Sequence, residues 1–317
     1  MWQLSIECYK KDGMNKIVLI TGVYGFLGRY TAKCFAHAGW KVVGIGHGDW
    51  SATEAGQWGV SEWWKSDINF DRLSSIDIRP DIVVHCAGGN NVGYSFQYPL
   101  SDFQRTVDTL VQVFEYLRQN APEAILLYPS SGAVYGVAQR FPIRETDQLA
   151  PVSPYGEHKI LAENICRLFG RYFNVRSRIV RFFSLYGPGL RRQILYDACV
   201  KATRRDPLFQ GTGNETRDFL HVEDAARLLY MLHHDESGGC IVVNGGSGVK
   251  TTIRECVNTL FQLMEAPCRP IFSGAIRVGD PVCYQADISS ALTYGWRPSI
   301  DINAGLEGYV RWFKEDR

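Results

Sequence analysis

Two side chains that could exchange a proton stand four residues apart in the segment 153–159: Tyr155 and Lys159. In a helix this spacing places both on one face. A free phenol has a pKa of about 10, too high for a base at neutral pH, and a neighbouring ammonium lowers that pKa because it favours the phenolate. The pair predicts an acid–base site at Tyr155 that Lys159 supports. An exposed helix that merely carries a tyrosine and a lysine has the same spacing, so the pair alone leaves that alternative open.

A serine stands where it could complete this site. The apolar run from Ala124 to Tyr128 is typical of a strand, and it ends at Pro129-Ser130-Ser131. The carboxyl end of a buried parallel strand lies at the edge where such sheets bind ligands. The Ser131 hydroxyl could therefore donate to a substrate oxygen while Tyr155 exchanges the proton. A solvated turn is the simpler alternative for Ser131 alone.

A glycine-rich turn near the start of the chain supplies the third feature. The apolar, β-branched run Ile17 to Ile20 is followed by Gly22, Gly25 and Gly28 and then by an amphipathic stretch that stops at Gly39. This order predicts strand, turn and helix, with a second strand from Trp40 to Ile45. Glycines let a pyrophosphate approach bare amides at a helix N-terminus. For the glycines alone, an ordinary strand–helix turn is the alternative. Together with Ser131, Tyr155 and Lys159, the glycine turn favours hydride transfer between a substrate carbinol or carbonyl and a nicotinamide.

The elements that must position these residues alternate between strand and helix up to about Gly187. This alternation predicts an α/β fold with a doubly wound parallel sheet. Shorter elements and more turns follow, which predicts a smaller, mixed C-terminal domain that binds the substrate. The predicted domains are 1–15 as an N-terminal extension, 16–187 with part of 220–250 as the dinucleotide-binding domain, and mainly 188–317 as the second domain. The predicted strands and helices are strands 81–87, 124–128, 178–183 and 241–244 and helices 103–118, 153–173, 220–232 and 253–264.

Composition narrows the class of protein. The net charge is +1 and charged residues make up 21%, so neither nucleic acid nor a membrane surface is an expected partner. No apolar stretch approaches the roughly 18 residues of a membrane span. The 9 cysteines are odd in number and form no CxxC pair, which favours a reducing cytoplasm without disulfides and gives no metal site.

The motifs, in their order, resemble the extended short-chain dehydrogenase/reductases that modify nucleotide sugars, the NAD-dependent epimerase/dehydratase group. The resemblance covers about residues 16–313 and implies a Rossmann fold. It rests on Thr21-Gly-Val-Tyr-Gly-Phe-Leu-Gly28, His85-Cys-Ala-Gly88, Ser130-Ser-Gly-Ala-Val-Tyr-Gly136, Ser153-Pro-Tyr-Gly-Glu-His-Lys159, Tyr186-Gly-Pro-Gly189 and Arg217-Asp-Phe219.

The resemblance implies a role for each matching position. Ser131 and Tyr155 would flank the sugar C4 oxygen, and Lys159 would hold the nicotinamide ribose. In the second domain, Arg217 and Arg277 would clamp the substrate diphosphate. The remaining implied contacts are cofactor contacts at Gly22, Tyr24, Gly25, Phe26, Leu27, Gly28, His47, Asp67, Ile68, His85, Cys86, Ala87 and Gly88, and substrate contacts at Ser184 and Asp280.

Departures from the family's pattern bear on the reaction. NAD-preferring members usually carry an acid where Gly46 stands, so Gly46-His47 favours NADP, with His47 and Arg29 as candidate phosphate contacts; the alternative is that Asp49 replaces the acid. Gly132 and Ala133 stand where dehydratases carry an Asp-Glu pair, which argues against a 4,6-dehydratase. Two further departures are Ser184 and Thr106, each at a position that usually holds an asparagine.

Two reactions at the hexose C4 remain. We favour a 4-keto sugar reductase that uses NADPH, because of Gly46; the alternative is an NAD-dependent nucleotide-sugar 4-epimerase, which the segment after Ser131 resembles. A non-catalytic NAD(P)-binding regulatory module is the alternative of another class.

The expected partners are a nucleotide-diphosphate sugar and a second copy of the chain. This homodimer would pair the helices 103–118 and 155–173, whose apolar residues beyond one stripe are Val111, Phe114, Leu117, Ile160, Ile165, Leu168 and Phe169; those residues could instead simply cover the sheet.

Overall fold

The fold is described from a computed structural model, which covers residues 16–275 and 283–316. By contact, the chain divides into two compact units. The first contains residues up to Val134, Ser153–Arg181 and Ala226–Val243, and the second contains Tyr135–Val152, Phe182–Ala225 and the chain from Asn244 onward. The chain thus enters the second unit first at residues 135–152, well before the position 187 at which the sequence predicts a domain boundary.

The main sheet has seven strands in the order β10-β6-β5-β4-β1-β2-β3. Strand β1 pairs in parallel with β2 and β4, β2 with β3, and β4 with β5. The strand order reverses beside β1, as in doubly wound folds, so the predicted α/β Rossmann sheet is confirmed. The strands are β1 (Ile17–Thr21), β2 (Lys41–Gly46), β3 (Glu62–Lys65), β4 (Ile82–His85), β5 (Ile125–Ser131), β6 (Arg176–Phe182), β7 (Ser184–Tyr186), β8 (Leu208–Phe209), β9 (Thr216–His221), β10 (Cys240–Gly245), β11 (Lys250–Thr252) and β12 (Ile271–Phe272).

Helices connect the strands and cover the sheet. The predicted helix 103–118 is interrupted: one helix ends at Phe103, a π-helical turn spans Gln104–Asp108, and a new helix starts at Thr109. The predicted helix 220–232 starts later, because its first two residues close strand β9. The helices are α1 (Phe26–His37), α2 (Ala52–Gln57), α3 (Phe70–Ser75), α4 (Val92–Gln97), α5 (Pro99–Phe103), α6 (Thr109–Asn120), α7 (Pro154–Phe173), α8 (Gln193–Arg204), α9 (Val222–Leu232), α10 (Ile253–Leu263), α11 (Ser289–Thr293) and α12 (Ile302–Glu315).

Apolar side chains of α6 and α7 form the core under the sheet. Phe114, Leu117 and Phe169 are buried there, and the Phe114 and Phe169 rings stack with centroids 4.7 Å apart. These three residues cover the sheet, so they are not the outward face that the homodimer prediction assigned to them. The outward apolar side chains of α7 include Leu168 at 41% exposure and Tyr172 at 69%.

The second unit contains small sheets of its own. A three-stranded sheet has the order β11-β9-β7, with β7 and β9 parallel and β11 and β9 antiparallel. A two-stranded parallel sheet pairs β12 with β8. Over residues 16–275 and 283–316, no helix combines the length and the apolar character that crossing a bilayer requires.

Candidate active site

The first turn of α7 holds Tyr155 in place through two serines. Ser153 is the N-cap, and its Oγ accepts a hydrogen bond from the Gly156 N–H at 3.1 Å. The Tyr155 N–H donates to the Oγ of Ser95, a buried residue of α4, at 3.0 Å. Pro154 occupies the first helical position, where a missing N–H costs nothing. Two of the amides that a helix start leaves unpaired are thus satisfied, which fixes the backbone that carries Tyr155.

Lys159 is buried beneath Tyr155 on the same helix. Its ammonium donates to the Tyr128 hydroxyl at 3.2 Å and to the Pro129 carbonyl at 3.1 Å, and it lies 5.9 Å from the Tyr155 ring centroid. Burial lowers the pKa of Lys159 to about 8, against the opposing effect of nearby Asp102 and Glu163. Two hydrogen bonds therefore fix the ammonium in position. Its pKa lies close to neutral pH, where a small change of environment alters its charge.

Ser131 is the last residue of β5, at the carboxyl end of the sheet as expected. Its Oγ accepts a hydrogen bond from the Ala133 N–H at 3.1 Å in the short 3-10 turn that follows. A hydroxyl that accepts through its oxygen keeps its proton for donation to another group. This hydrogen bond leaves the Ser131 proton available, which is compatible with the donor role predicted from the sequence.

The glycine turn has the shape that a dinucleotide phosphate requires. Gly22 has φ +67°, and a Cβ there would lie 2.6 Å from the Ala87 amide nitrogen. A Cβ on Gly28 would lie 2.4 Å from the Gly22 carbonyl oxygen. Gly25 is the N-cap of α1 and makes no side-chain cap, so it leaves the first helical amides available to an anion at the positive end of the helix. These observations fit a bound pyrophosphate along the Gly22, Tyr24, Gly25, Phe26, Leu27 and Gly28 backbone.

Side chains of the loop after β2 contact β3 and the residues that follow it. His47 Nε2 lies 2.9 Å from Asp67 Oδ1, and Lys65 contacts Asp49. Arg29, the second candidate for a 2′-phosphate contact, donates to the Tyr24 carbonyl at 2.6 Å. The two candidate phosphate contacts, His47 and Arg29, therefore already have partners within the chain.

Arg29 is also enclosed by aromatic rings. Its guanidinium carbon lies 5.4 Å, 5.6 Å and 5.2 Å from the ring centroids of Tyr24, Trp50 and Trp58. Gly46 has φ +150°, and a Cβ there would lie 3.3 Å from the Gly22 nitrogen. Backbone conformation and crowding therefore both oppose an acid at position 46, which explains its absence there.

Strand β4 ends beside the glycine turn. Ala87 approaches Gly22 as described, and burial raises the pKa of the Cys86 thiol to about 12. His85 is fully buried: its Nδ1 contacts Thr21 Oγ1 at 2.7 Å, and burial lowers its pKa to about 3. His85 is thus a neutral residue that ties β4 to β1, and it does not line an open groove as the sequence suggested.

For the remaining positions that the family resemblance implies, the structure gives fewer contacts or none. Gly88 has φ +143°, and Ile68 is half-buried against the core. Ser184 opens β7 and Arg217 lies on β9, on two neighbouring strands of the second unit, where the Arg217 guanidinium donates to the Thr216 carbonyl at 2.9 Å. Arg277 and Asp280 lie outside the described residues.

Sequence reasoning missed two residues that touch the site. Tyr128 contacts Lys159, and Ser95 holds the Tyr155 amide. Tyr128 could have been suspected, because a tyrosine inside an apolar strand needs a partner for its hydroxyl. Nothing in the sequence signals Ser95, because 60 residues separate it from its partner.

Known proteins resemble the chain over nearly its whole length. The model of the NAD dependent epimerase/dehydratase family matches residues 18–244. A UDP-glucose 4-epimerase of Azospirillum brasilense is 30% identical, over 93% of this chain and 90% of its own length.

Solved structures of similar proteins agree with this family match. An epimerase from Methanothermobacter thermautotrophicus superposes with TM-score 0.87 at 26% identity, over 99% of this chain and 96% of its own. MoeE5, solved with UDP-glucuronic acid and NAD, gives TM-score 0.81 at 26% identity, over 95% of this chain and 99% of its own. Sequence motifs, sheet order and overall matches thus agree, and the chain belongs to the NAD dependent epimerase/dehydratase family, enzymes of the extended short-chain dehydrogenase/reductase type that act on nucleotide sugars.

Proposed function

We propose that this enzyme is an NAD-dependent 4-epimerase of a uridine-diphosphate sugar. The observation that carries the choice is the pairing of His47 with Asp67 at 2.9 Å, where a 2′-phosphate of NADP would need an unopposed cation. A carboxylate that contacts the candidate phosphate-binding imidazole disfavours a phosphate dianion beside it, whereas the carboxylate can accept hydrogen bonds from the ribose diol of NAD. The names of the relatives, a UDP-glucose 4-epimerase and MoeE5 with NAD, support the same choice. We therefore favour the NAD-dependent 4-epimerase over the NADPH-dependent reductase.

The residues of the site divide the chemistry among them. Bound NAD would supply the hydride acceptor and donor that the reaction needs. Tyr155 accepts the proton of the sugar 4-hydroxyl and later returns it, while Ser131 donates a hydrogen bond to the same oxygen. The Lys159 ammonium stabilises the phenolate form of Tyr155. Gly132 and Ala133 place no acid after Ser131, which leaves this site without the groups that would eliminate water.

The cofactor that co-purifies with the protein tests this proposal. We expect denatured protein to release NAD, and the intact enzyme to interconvert UDP-glucose and UDP-galactose, or the matching pair of UDP-glucuronic acid or UDP-N-acetylglucosamine, without added reductant. Anomeric proton signals in NMR distinguish each pair of epimers. Stoichiometric oxidation of NADPH by a 4-keto nucleotide sugar, with no epimer formed, would establish the reductase instead.

The proposal extends to a homodimer through α7 and its neighbours. Leu161, Leu168 and Tyr172 are exposed apolar side chains at spacings of seven and four residues, which puts them along one face of α7. Exposed apolar side chains along one helix face are typical of an interaction site. We expect sedimentation to give a dimer for the wild type and a monomer for Leu168→Lys. A wild-type monomer at micromolar concentration would contradict the dimer.

A further inference from the structure

A single arginine joins the glycine turn to the segment that follows β2. Arg29, in the first turn of α1, donates from Nη2 to the Tyr24 carbonyl at 2.6 Å. The same guanidinium lies over two tryptophans, with its central carbon 5.6 Å from the Trp50 ring centroid and 5.2 Å from that of Trp58. A guanidinium is planar and weakly hydrated, so it can stack on aromatic rings while its N–H groups donate.

The two tryptophans flank the short helix α2. Trp50 lies just before the N-cap of this helix, and Trp58 is its C-cap. Of the residues Ala52–Gln57, which the structure describes in full, only Ala55 is buried. A helix this short is not stable by itself, and one buried alanine adds little apolar burial. The position of α2 therefore relies on contacts at its two ends, and Arg29 makes a contact at each end.

The loop between β2 and α2 also packs on the glycine turn. The Tyr24 and Trp50 rings meet edge to face, with centroids 4.9 Å apart. A Cβ built on Gly48 would lie 2.3 Å from Tyr24 Cγ, so the loop backbone rests directly on that ring. The guanidinium carbon of Arg29 lies 5.4 Å from the centroid of the same ring. Residues 47–50 and the glycine turn are thus packed together around Tyr24.

These two segments border the adenosine half of the cofactor in a Rossmann fold, because the glycine turn takes the pyrophosphate and the end of the second strand takes the adenosine ribose. We propose that Arg29 is a positioning residue that fastens residues 47–58 to the glycine turn, so that the adenosine side of the site is formed before the cofactor binds. It acts through Tyr24, Trp50 and Trp58. A site formed in advance loses less conformational freedom on binding, which slows cofactor release. The inference rests on the proposed function for the identity of the cofactor, NAD.

Hydrogen exchange of the full-length protein tests the fastening itself. Exchange is followed by mass spectrometry in a peptide that covers residues 51–60, with saturating NAD so that wild type and variant have equal occupancy. The amides of Ala55, Trp58 and Val60 are hydrogen-bonded in this segment and report its local opening. We expect about tenfold faster exchange there in Arg29→Met, and no change in the peptides of β5. Exchange within about twofold of the wild type would overturn the inference.

Cofactor release tests the consequence for binding. NAD is chased from the holoenzyme with excess ADP-ribose, and the released NAD is separated by rapid filtration and measured. We expect NAD to leave Arg29→Met about tenfold faster, with kcat at saturating NAD and the affinity for UDP within about twofold of the wild type. An unchanged release rate, or an equal loss of UDP affinity, would contradict a role confined to the adenosine side.

A second variant breaks the same contact from the loop. Trp50→Ala should speed NAD release as Arg29→Met does, and the double variant should be no faster than the faster single variant, because the two side chains act as a unit. Independent effects that multiply in the double variant would refute action through Trp50.

An arginine of the second unit provides the matched control. Arg254, in the first turn of α10, donates to the Thr212 carbonyl, and its guanidinium carbon lies 4.5 Å from the Phe272 ring centroid. Arg254→Met should lower the melting temperature and leave NAD release at the wild-type rate. Equally fast release from both arginine variants would trace the effect to general loss of stability, and the proposal would fail. If the wild type retains NADP(H) and not NAD, the proposed function fails, and the exchange measurement, repeated with that cofactor, still decides the inference.

Discussion

Replacing Tyr155 with phenylalanine is expected to lower kcat for epimerisation by about a thousandfold, because a positioned general acid–base contributes about 10²- to 10⁴-fold. The substitution removes only the hydroxyl. The Tyr155 amide still donates to Ser95, and Ser153 still caps the helix, so the backbone of the site keeps its place. The variant should therefore bind NAD as tightly as the wild type does. Turnover is measured by NMR of the epimers and cofactor binding by calorimetry.

The same change elsewhere on the same helix separates the hydroxyl's chemistry from its effect on folding. Tyr172 lies on α7 and is 69% exposed. We expect Tyr172→Phe to keep kcat within about twofold of the wild type, because the substitution removes only an exposed hydroxyl and keeps the ring that the proposed dimer face uses. If Tyr155→Phe retained more than a tenth of wild-type turnover, Tyr155 would not be the acid–base. A loss of turnover together with loss of NAD binding would point to a damaged site instead.

Replacing Arg181 with methionine should destabilise the fold by about 3–5 kcal/mol, the cost of breaking a buried ion pair by removing one partner. Arg181 of β6 is 2% exposed and donates two hydrogen bonds to the fully buried Glu163, at 3.0 and 2.7 Å. Ser130, the neighbour of Ser131, donates to the same carboxylate at 2.7 Å. The network thus ties α7 to the strand that carries Ser131. Urea denaturation of the protein without added cofactor measures the change in the free energy of unfolding.

Another arginine on the same carboxylate is the control. Arg167 contacts Glu163 at 3.2 Å, but its side chain is 40% exposed. Exposed ion pairs contribute about 0–1 kcal/mol, so Arg167→Met should cost less than about 1 kcal/mol. Replacing Glu163 and Arg181 together by methionine should recover part of the loss from Arg181→Met, because no buried charge is then left unpaired. Equal costs for the two arginine variants would contradict the importance of burial at Arg181.

Local patterns determined most of the fold. The β-branched run at 17–20, the glycines that follow it and the serine-proline start of α7 each set their element through short-range effects, and the structure has them where the sequence predicts. Strand β3, Glu-Trp-Trp-Lys, was missed because it does not alternate and is held by its pairing with β2. The π-helical turn at Gln104–Asp108 was missed too, because it interrupts a continuous helical pattern. The pairing that holds β3 depends on a strand about twenty residues earlier in the chain.

In the candidate site too, some features could be predicted from the sequence and others required the folded structure. The sequence by itself identified Ser131, Tyr155, Lys159 and the glycine turn as candidates, because their residue types and spacing within one strand end, one helix and one loop suit the predicted chemistry. Only the tertiary structure decided the charge of their surroundings. It paired His47 with Asp67, and it buried Asp102 against His158. Those partners lie far apart in sequence, and electrostatic effects depend on distance and burial in the folded chain, which no spacing along the sequence contains.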